Sequence, residues 1–152
     1  MGKKRIIKQS EEELIKEKEQ IETSLKKERM PAPKAGLAVK KGCIYISSSY
    51  NNTSIVLTDE KGNVLVWTSA GSIGFKGTKK GTPFAASKTA EAFYNAISKL
   101  KIDEFKVYIK GIGAGRDSAL RSLANQGLNI VSIKDITPIP HNGCRPPKPR
   151  RV

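Results

Sequence analysis

Residues 105–137 read FKVYIKGIGAGRDSALRSLANQGLNIVSIKDIT, and this stretch decides the fold class. Phe105, Val107 and Ile109 alternate with Lys106, Tyr108 and Lys110 at the two-residue period of a strand, so a strand is predicted over 105–112. Glycines at 113 and 115 turn the chain, and residues 116–126 have helical composition. Gly127 is suited to the left-handed residue that closes a helix, and apolar alternation resumes over 128–137. Strand, crossover helix and strand joined in this way lie parallel in one sheet.

Upstream, the same period-two pattern recurs without a helix between its repeats. A first strand is predicted over 43–50, a second over 53–58 after Asn51-Asn52, and a third over 64–69 after the turn Asp59-Glu60-Lys61-Gly62, giving an antiparallel meander. A loop rich in glycine and lysine follows over 71–82 (GSIGFKGTKKGT). Thr82 then caps a helix that Pro83 opens, at a position where its missing N–H costs nothing. Ala86, Ala90, Phe93, Tyr94 and Ile97 lie three and four apart, so one face of that helix covers the sheet. The expected class is α/β: a mixed five-stranded sheet with two packed helices, in two or three layers, over residues 35–137.

Both flanks differ from this core. Residues 1–34 predict a charged helical extension that Ser10 caps and Pro31 and Pro33 stop, with Glu11, Glu12 and Glu13 in the first turn. Its apolar stripe of Leu14, Ile21 and Leu25 is narrow, which suits an exposed appendage. Residues 138–152 hold most of the prolines and no acid, so they predict an extended basic arm.

The chain has 152 residues, with 28 Lys+Arg against 14 Asp+Glu and a net charge of +14. The surplus is spread: ten basic and seven acidic side chains over 1–34, fourteen and seven over 35–137, four and none over 138–152. Cations that displace condensed counterions from phosphates bind polyanions, so nucleic acid is the implied partner. A mean hydropathy of −0.42 and no membrane-length apolar run argue against a membrane protein. The N-terminus resembles neither a secretory signal nor a transit peptide, which predicts a cytoplasmic location. Cys43 and Cys144 lie far apart with no CxxC pair, which disfavours a disulfide scaffold or a cysteine zinc site.

Three segments carry candidate binding chemistry. In the 71–82 loop, glycine lets the backbone approach a sugar-phosphate chain, Lys76, Lys79 and Lys80 neutralise it, and Phe75 offers a ring for an unpaired base. Gly111, Gly113 and Gly115, followed by Arg116, sit between a strand and a helix, where unpaired N–H groups and the guanidinium favour phosphate. That turn departs from the dinucleotide fingerprint and lacks a P-loop ending, and glycine there also serves a tight turn regardless of ligand. In the tail, Arg145, Lys148, Arg150 and Arg151 supply phosphate contacts; a PxxP ligand for a small aromatic-lined domain is the other reading. Asn142-Gly143 is prone to isoaspartate formation, because glycine hinders attack on the asparagine side chain little.

Catalysis finds little support. His141 is the single histidine and lies in the arm, and His141 with Cys144 lacks the second pair that a metal site needs. No catalytic residue, metal or cofactor is expected. A nucleotide-binding enzyme built on residues 111–115 and a free DNA-binding protein remain as rivals.

The run 135–148 (DITPIPHNGCRPPK) resembles the C-terminal signature of the bacterial-type small-subunit ribosomal protein eleven family. Tyr50-Asn51-Asn52-Thr53, the helix start at 82–86 and the glycine turn at 110–116 resemble that family as well, so the likeness covers roughly residues 38–152. Pro149 stands where members usually carry Lys or Arg, Ile112 and Ala114 replace prolines common in the glycine turn, and the N-terminal extension is longer than usual. The resemblance implies a ribonuclease-H-like fold without that enzyme's activity, in a monomeric component of the small (30S) subunit. It implies that Asn51, Asn52, His141 and Asn142 join the basic residues in binding 16S rRNA. It further implies bridging of rRNA helices on the platform, beside the proteins numbered seven and eighteen and near the cleft that holds the messenger's Shine-Dalgarno duplex.

Overall fold

Alternating side chains divide the sheet into a covered and an open face. In the computed structural model, which describes residues 40–100, 102–145, 147 and 148, the elements run β1 (Lys41–Ser48), β2 (Thr53–Thr58), β3 (Val64–Ser69), α1 (Pro83–Ile97), β4 (Glu104–Lys110), α2 (Gly115–Asn125) and β5 (Ile130–Asp135). The expected N-terminal helix, and Arg150 and Arg151 of the tail, lie outside the described residues. Ile44 and Ile46 of β1 are fully buried while Tyr45 and Ser47, the residues that follow each, are exposed, which is the alternation that a sheet covered on one side imposes.

The sheet is mixed, in the order β3-β2-β1-β4-β5. β1–β2 and β2–β3 are antiparallel; β1–β4 and β4–β5 are parallel. The β-α-β reading of residues 105–137 is thus borne out, with β4 and β5 adjacent and parallel around α2. The sheet is joined into one by Ile44↔Val107 and Ile46↔Ile109, partners some sixty residues apart.

Both helices lie on the same face, so the domain has two layers. α1 packs on β2, β3 and α2, while α2 packs on β1. Ala86, Ala90, Phe93 and Ile97 of α1 join Ala119 and Leu123 of α2 over the isoleucines, leucine and valines of the sheet. Methyl-sized side chains let the helices approach closely; Phe93, with no exposed area, fills the centre, and its truncation to Ala would cost about 3–5 kcal/mol. At the start of α1, the Ala85 N–H donates to Thr82 Oγ1 at 3.2 Å, satisfying an otherwise unpaired donor.

The structure corrects two expectations. Residues 77–81 of the glycine-lysine loop form a short 3-10 helix. Phe75 is not an exposed ring: it is 6% accessible and belongs, with Ala70, Ile73, Ala85 and Ala92, to a second apolar cluster under the start of α1. Ile73 and Phe75 are spaced so that both face inward, and their burial anchors the loop. Phe84, edge-on to Phe75 with ring centroids 6.1 Å apart, is the exposed ring here. Strand ends also move inward: β1 stops at Ser48 because Ser49 N–H donates to Asn52 O at 2.9 Å, and β4 stops at Lys110 because Gly111 takes φ +101°.

Candidate nucleic-acid interface

Topology gathers the candidate segments at one end of the sheet. β1, β4 and β5 run parallel, so their C-termini share an edge; β2 starts and β3 ends there, being antiparallel. Four connections therefore emerge together: residues 49–52, 71–82, 111–114 and the tail from 136 onward. They contain Lys76, Lys79, Lys80, Arg145 and Lys148 among the described residues and not one acid.

The glycines of these segments make this convergence possible. A Cβ on Gly81 would lie 2.2 Å from Tyr50 O, one on Gly111 2.1 Å from Ser48 O, and one on Gly113 2.2 Å from Ser49 O. The 49–52 turn is thus clasped between the lysine loop and the glycine turn, backbone against backbone. Gly113 N–H donates to Ser48 O at 3.1 Å, and Gly115 packs against the buried Ser48 and Thr53 hydroxyls, which hydrogen-bond each other at 3.2 Å. Asn51 is exposed on this turn. Asn52 is half-buried, and its Oδ1 is enclosed without a donor among the described residues.

Arg116 is used within the protein. Its guanidinium donates to Gly111 O at 3.0 Å, Thr137 Oγ1 at 3.3 Å and Asp135 Oδ2 at 2.6 Å. Asp135 also accepts from the Thr137 N–H and hydroxyl through Oδ1, and Gly111 N–H donates to Thr137 Oγ1 at 3.1 Å. These bonds tie the root of the tail to the glycine turn. Hydrogen bonds first from Arg116 and then from Thr137 hold the Asp135 carboxyl well below the usual carboxylate range. The sequence offered Arg116 to a phosphate; its geometry makes it the residue that aims the tail.

Beyond that clasp, His141, Asn142, Gly143, Cys144, Arg145 and Lys148 are exposed. Asn142 has φ +54°, a left-handed conformation that asparagine adopts more readily than most residues. Lys76 and Lys79 are exposed and Lys80 half-buried around the 3-10 helix, and Gly113 and Gly115 are buried. No group of three or more His, Cys, Asp or Glu among the described residues could hold a metal ion, and none of their helices is long and apolar enough to cross a membrane. A groove of about 430 Å³ between α1 and α2, lined by Ser87, Ser118, Arg121, Ser122, Asn125 and Gln126, has no carboxylate, histidine or cysteine in its lining.

The opposite end of the sheet is different in kind. The turn after β2 carries Asp59, Glu60 and Lys61, and the approach to β4 carries Lys99 and Asp103. Lys41 and Glu104 pair across β1 and β4 at 3.3 Å. Asp59 accepts from the Asn63 backbone and side chain, both at 2.8 Å, and those bonds, the side-chain one foremost, lower its carboxyl from the ordinary value.

Comparison with known proteins agrees with the resemblance read from the motifs. The sequence profile described as Ribosomal protein S11 matches residues 42–151. The small ribosomal subunit protein uS11 of Endomicrobium trichonymphae is 56% identical over 108 residues, which cover 71% of this chain and 82% of that protein. The profile match begins at the first residues of β1 and leaves residues 1–41 outside.

Proposed function

The chain belongs to the ribosomal protein S11 family and is a structural, non-enzymatic constituent of the small ribosomal subunit; from that premise we propose that it binds 16S rRNA through the basic edge of its sheet. The observation that carries this reading is the convergence of four connections, all without acids, at the C-terminal ends of β1, β4 and β5. A surface whose connecting segments carry cations and no acid, with close-approaching backbone, is suited to sugar-phosphate chains. The place of work is the ribosome of a bacterial or bacterial-type cytoplasm.

Lys76, Lys79 and Lys80 contact one RNA segment, with Asn51 and Asn52 beside them, and the tail from His141 and Asn142 through Arg145, Lys148, Arg150 and Arg151 contacts another. Gly111, Gly113 and Gly115 seat the glycine turn against the neighbouring 49–52 turn, so their part in the interface is indirect, while Arg116 fixes the direction in which the tail leaves. Holding two segments at a fixed separation is what bridging of rRNA helices on the platform requires. The family resemblance supports neighbours numbered seven and eighteen and a position near the Shine-Dalgarno cleft.

The test is binding of the full chain to a 16S rRNA platform fragment over a range of salt concentrations, with duplex DNA of matched length as competitor. Preferential, strongly salt-dependent RNA binding supports the reading. Equal binding of the RNA fragment and the DNA duplex supports a free DNA-binding protein, and thermal stabilisation by micromolar ATP or a dinucleotide in place of RNA binding supports the nucleotide reading of residues 111–115.

A further inference from the structure

The open face of the sheet carries a pattern that the basic edge does not use. Register places Trp67, Val56, Tyr45, Tyr108 and Lys134 in one row across all five strands. Trp67 is 48% and Tyr45 36% accessible, and Tyr45 and Tyr108 stack with ring centroids 5.0 Å apart and planes 18° from parallel. One row to one side stand Ser69, Ser54, Ser47 and Lys110; one row to the other stand Thr58, Cys43, Lys106 and Ser132. Lys106, Lys110 and Lys134 are exposed, and the one acid on this face of the described strands, Glu104, is paired with Lys41. Four strand spacings of about 4.8 Å give the row a length of about 19 Å.

We propose that this aromatic row with its three lysines is a second RNA-binding surface, which takes a short run of unpaired nucleotides by stacking bases on Trp67, Tyr45 and Tyr108. Charge decides between RNA and a protein as the occupant: a protein surface gains little from three unpaired cations around an apolar row, whereas a single strand brings phosphates at the spacing of its bases. Sheet aromatics flanked by cations are suited to unpaired bases. The row is also continuous with the basic edge, since Lys110 immediately precedes the glycine turn. The inference rests on the rRNA-binding reading and extends it to a different surface and a different RNA form.

Trp67 is the single tryptophan of the chain and reports on the row directly. Titration of the full chain with a twelve-nucleotide oligouridylate is expected to quench its fluorescence, and the same length of duplex RNA is not. Tyr45→Ala with Tyr108→Ala should weaken the oligouridylate about tenfold or more, and Lys106→Gln with Lys134→Gln, which leaves the packing alone, should weaken it and flatten its salt dependence. In small subunits assembled with 4-thiouridine-substituted rRNA, ultraviolet crosslinks should fall on the peptides of β1, β3 or β4. Platform RNA binding that persists with no quenching and no effect of either double variant would overturn this inference and leave the basic edge standing. Shielding of Trp67 in the particle without an RNA crosslink would assign the face to a protein and overturn it as well. A chain that binds no rRNA at all would remove both readings.

Discussion

The two ends of this sheet are built from the same strands yet serve different ends. At the C-terminal ends of β1, β4 and β5, glycines bring three connections into contact, Arg116 and Thr137 tie the tail to them, and none of the four segments contains an acid. At the other end the turn glycines Gly62 and Gly127 have nothing within 4 Å, and Asp59, Glu60, Asp103 and Glu104 stand among the lysines. One end spends its conformational freedom on assembling a surface, and the other on turning the chain.

The largest effect that would sharpen this contrast is steric. Gly111→Ala combines φ +101° with a Cβ 2.1 Å from Ser48 O, and should destabilise by about 3 kcal/mol or more. Gly62→Ala, with φ +90° but nothing within 4 Å, carries the backbone strain alone and should cost about 1–2 kcal/mol. Urea denaturation of both variants measures the difference; equal costs would mean that the glycine turn is not packed as described.

Next in size is the salt dependence of RNA binding. Arg145→Ala, Lys148→Ala, Arg150→Ala and Arg151→Ala together remove four cations, and should lower the log–log salt slope for the platform fragment by about 3 to 4. Lys40→Ala, Lys61→Ala and Lys99→Ala, at the mixed end, should leave slope and affinity nearly unchanged. An unchanged slope in the tail variant would take the tail out of the interface.

A smaller effect lies at the clasp. The Asp135 carboxyl is lowered when folded, so its contribution is complete above the unfolded value of about 3.9 and fades as pH falls from there towards the folded value. Carboxyl resonances followed by NMR should show Asp135 still ionised at a pH where exposed glutamates have titrated, and Arg116→Gln should return it towards the ordinary value. The smallest effect is chemical ageing: peptide mapping should find a one-dalton gain at Asn142, and a tail that stays unmodified on prolonged storage would dismiss the isoaspartate proposal.

Local features were legible in the sequence to the extent that neighbours along the chain determine them. The alternation of Ile44 and Ile46 with Tyr45, the Thr82 cap and the stop at Gly127 are all local, and the elements they predict lie within about two residues of those observed. The parallel pairing of β1 with β4 was not legible, because the partners of Ile44 and Ile46 are some sixty residues away and only the closed core selects them. Phe75 was misread for a related reason: amid glycines and lysines it looks solvent-facing, and its contacts with Ala85 and Ala92 come from another element. Arg116 looked available because Asp135, its partner, lies nineteen residues on.

The candidate residues themselves were named from composition and motif, but their gathering at one edge follows from strand direction. The aromatic row is a stronger case. Tyr45, Trp67 and Tyr108 each read as an ordinary strand residue, and nothing short of the register shows them side by side.

The central claim, that the basic end faces rRNA and the mixed end does not, can be tested with the chain's own thiol. Cys144 is exposed in the tail and Cys43 is buried, so an iron chelate can be tethered at Cys144, and in a Cys144→Ser background at Lys61→Cys on the other end. Small subunits reconstituted with each protein are then probed by hydroxyl-radical cleavage. Strong, clustered scission of 16S rRNA from position 144 and weak scission from position 61 is the predicted result; equal cleavage from both ends, or stronger cleavage from position 61, would contradict the account.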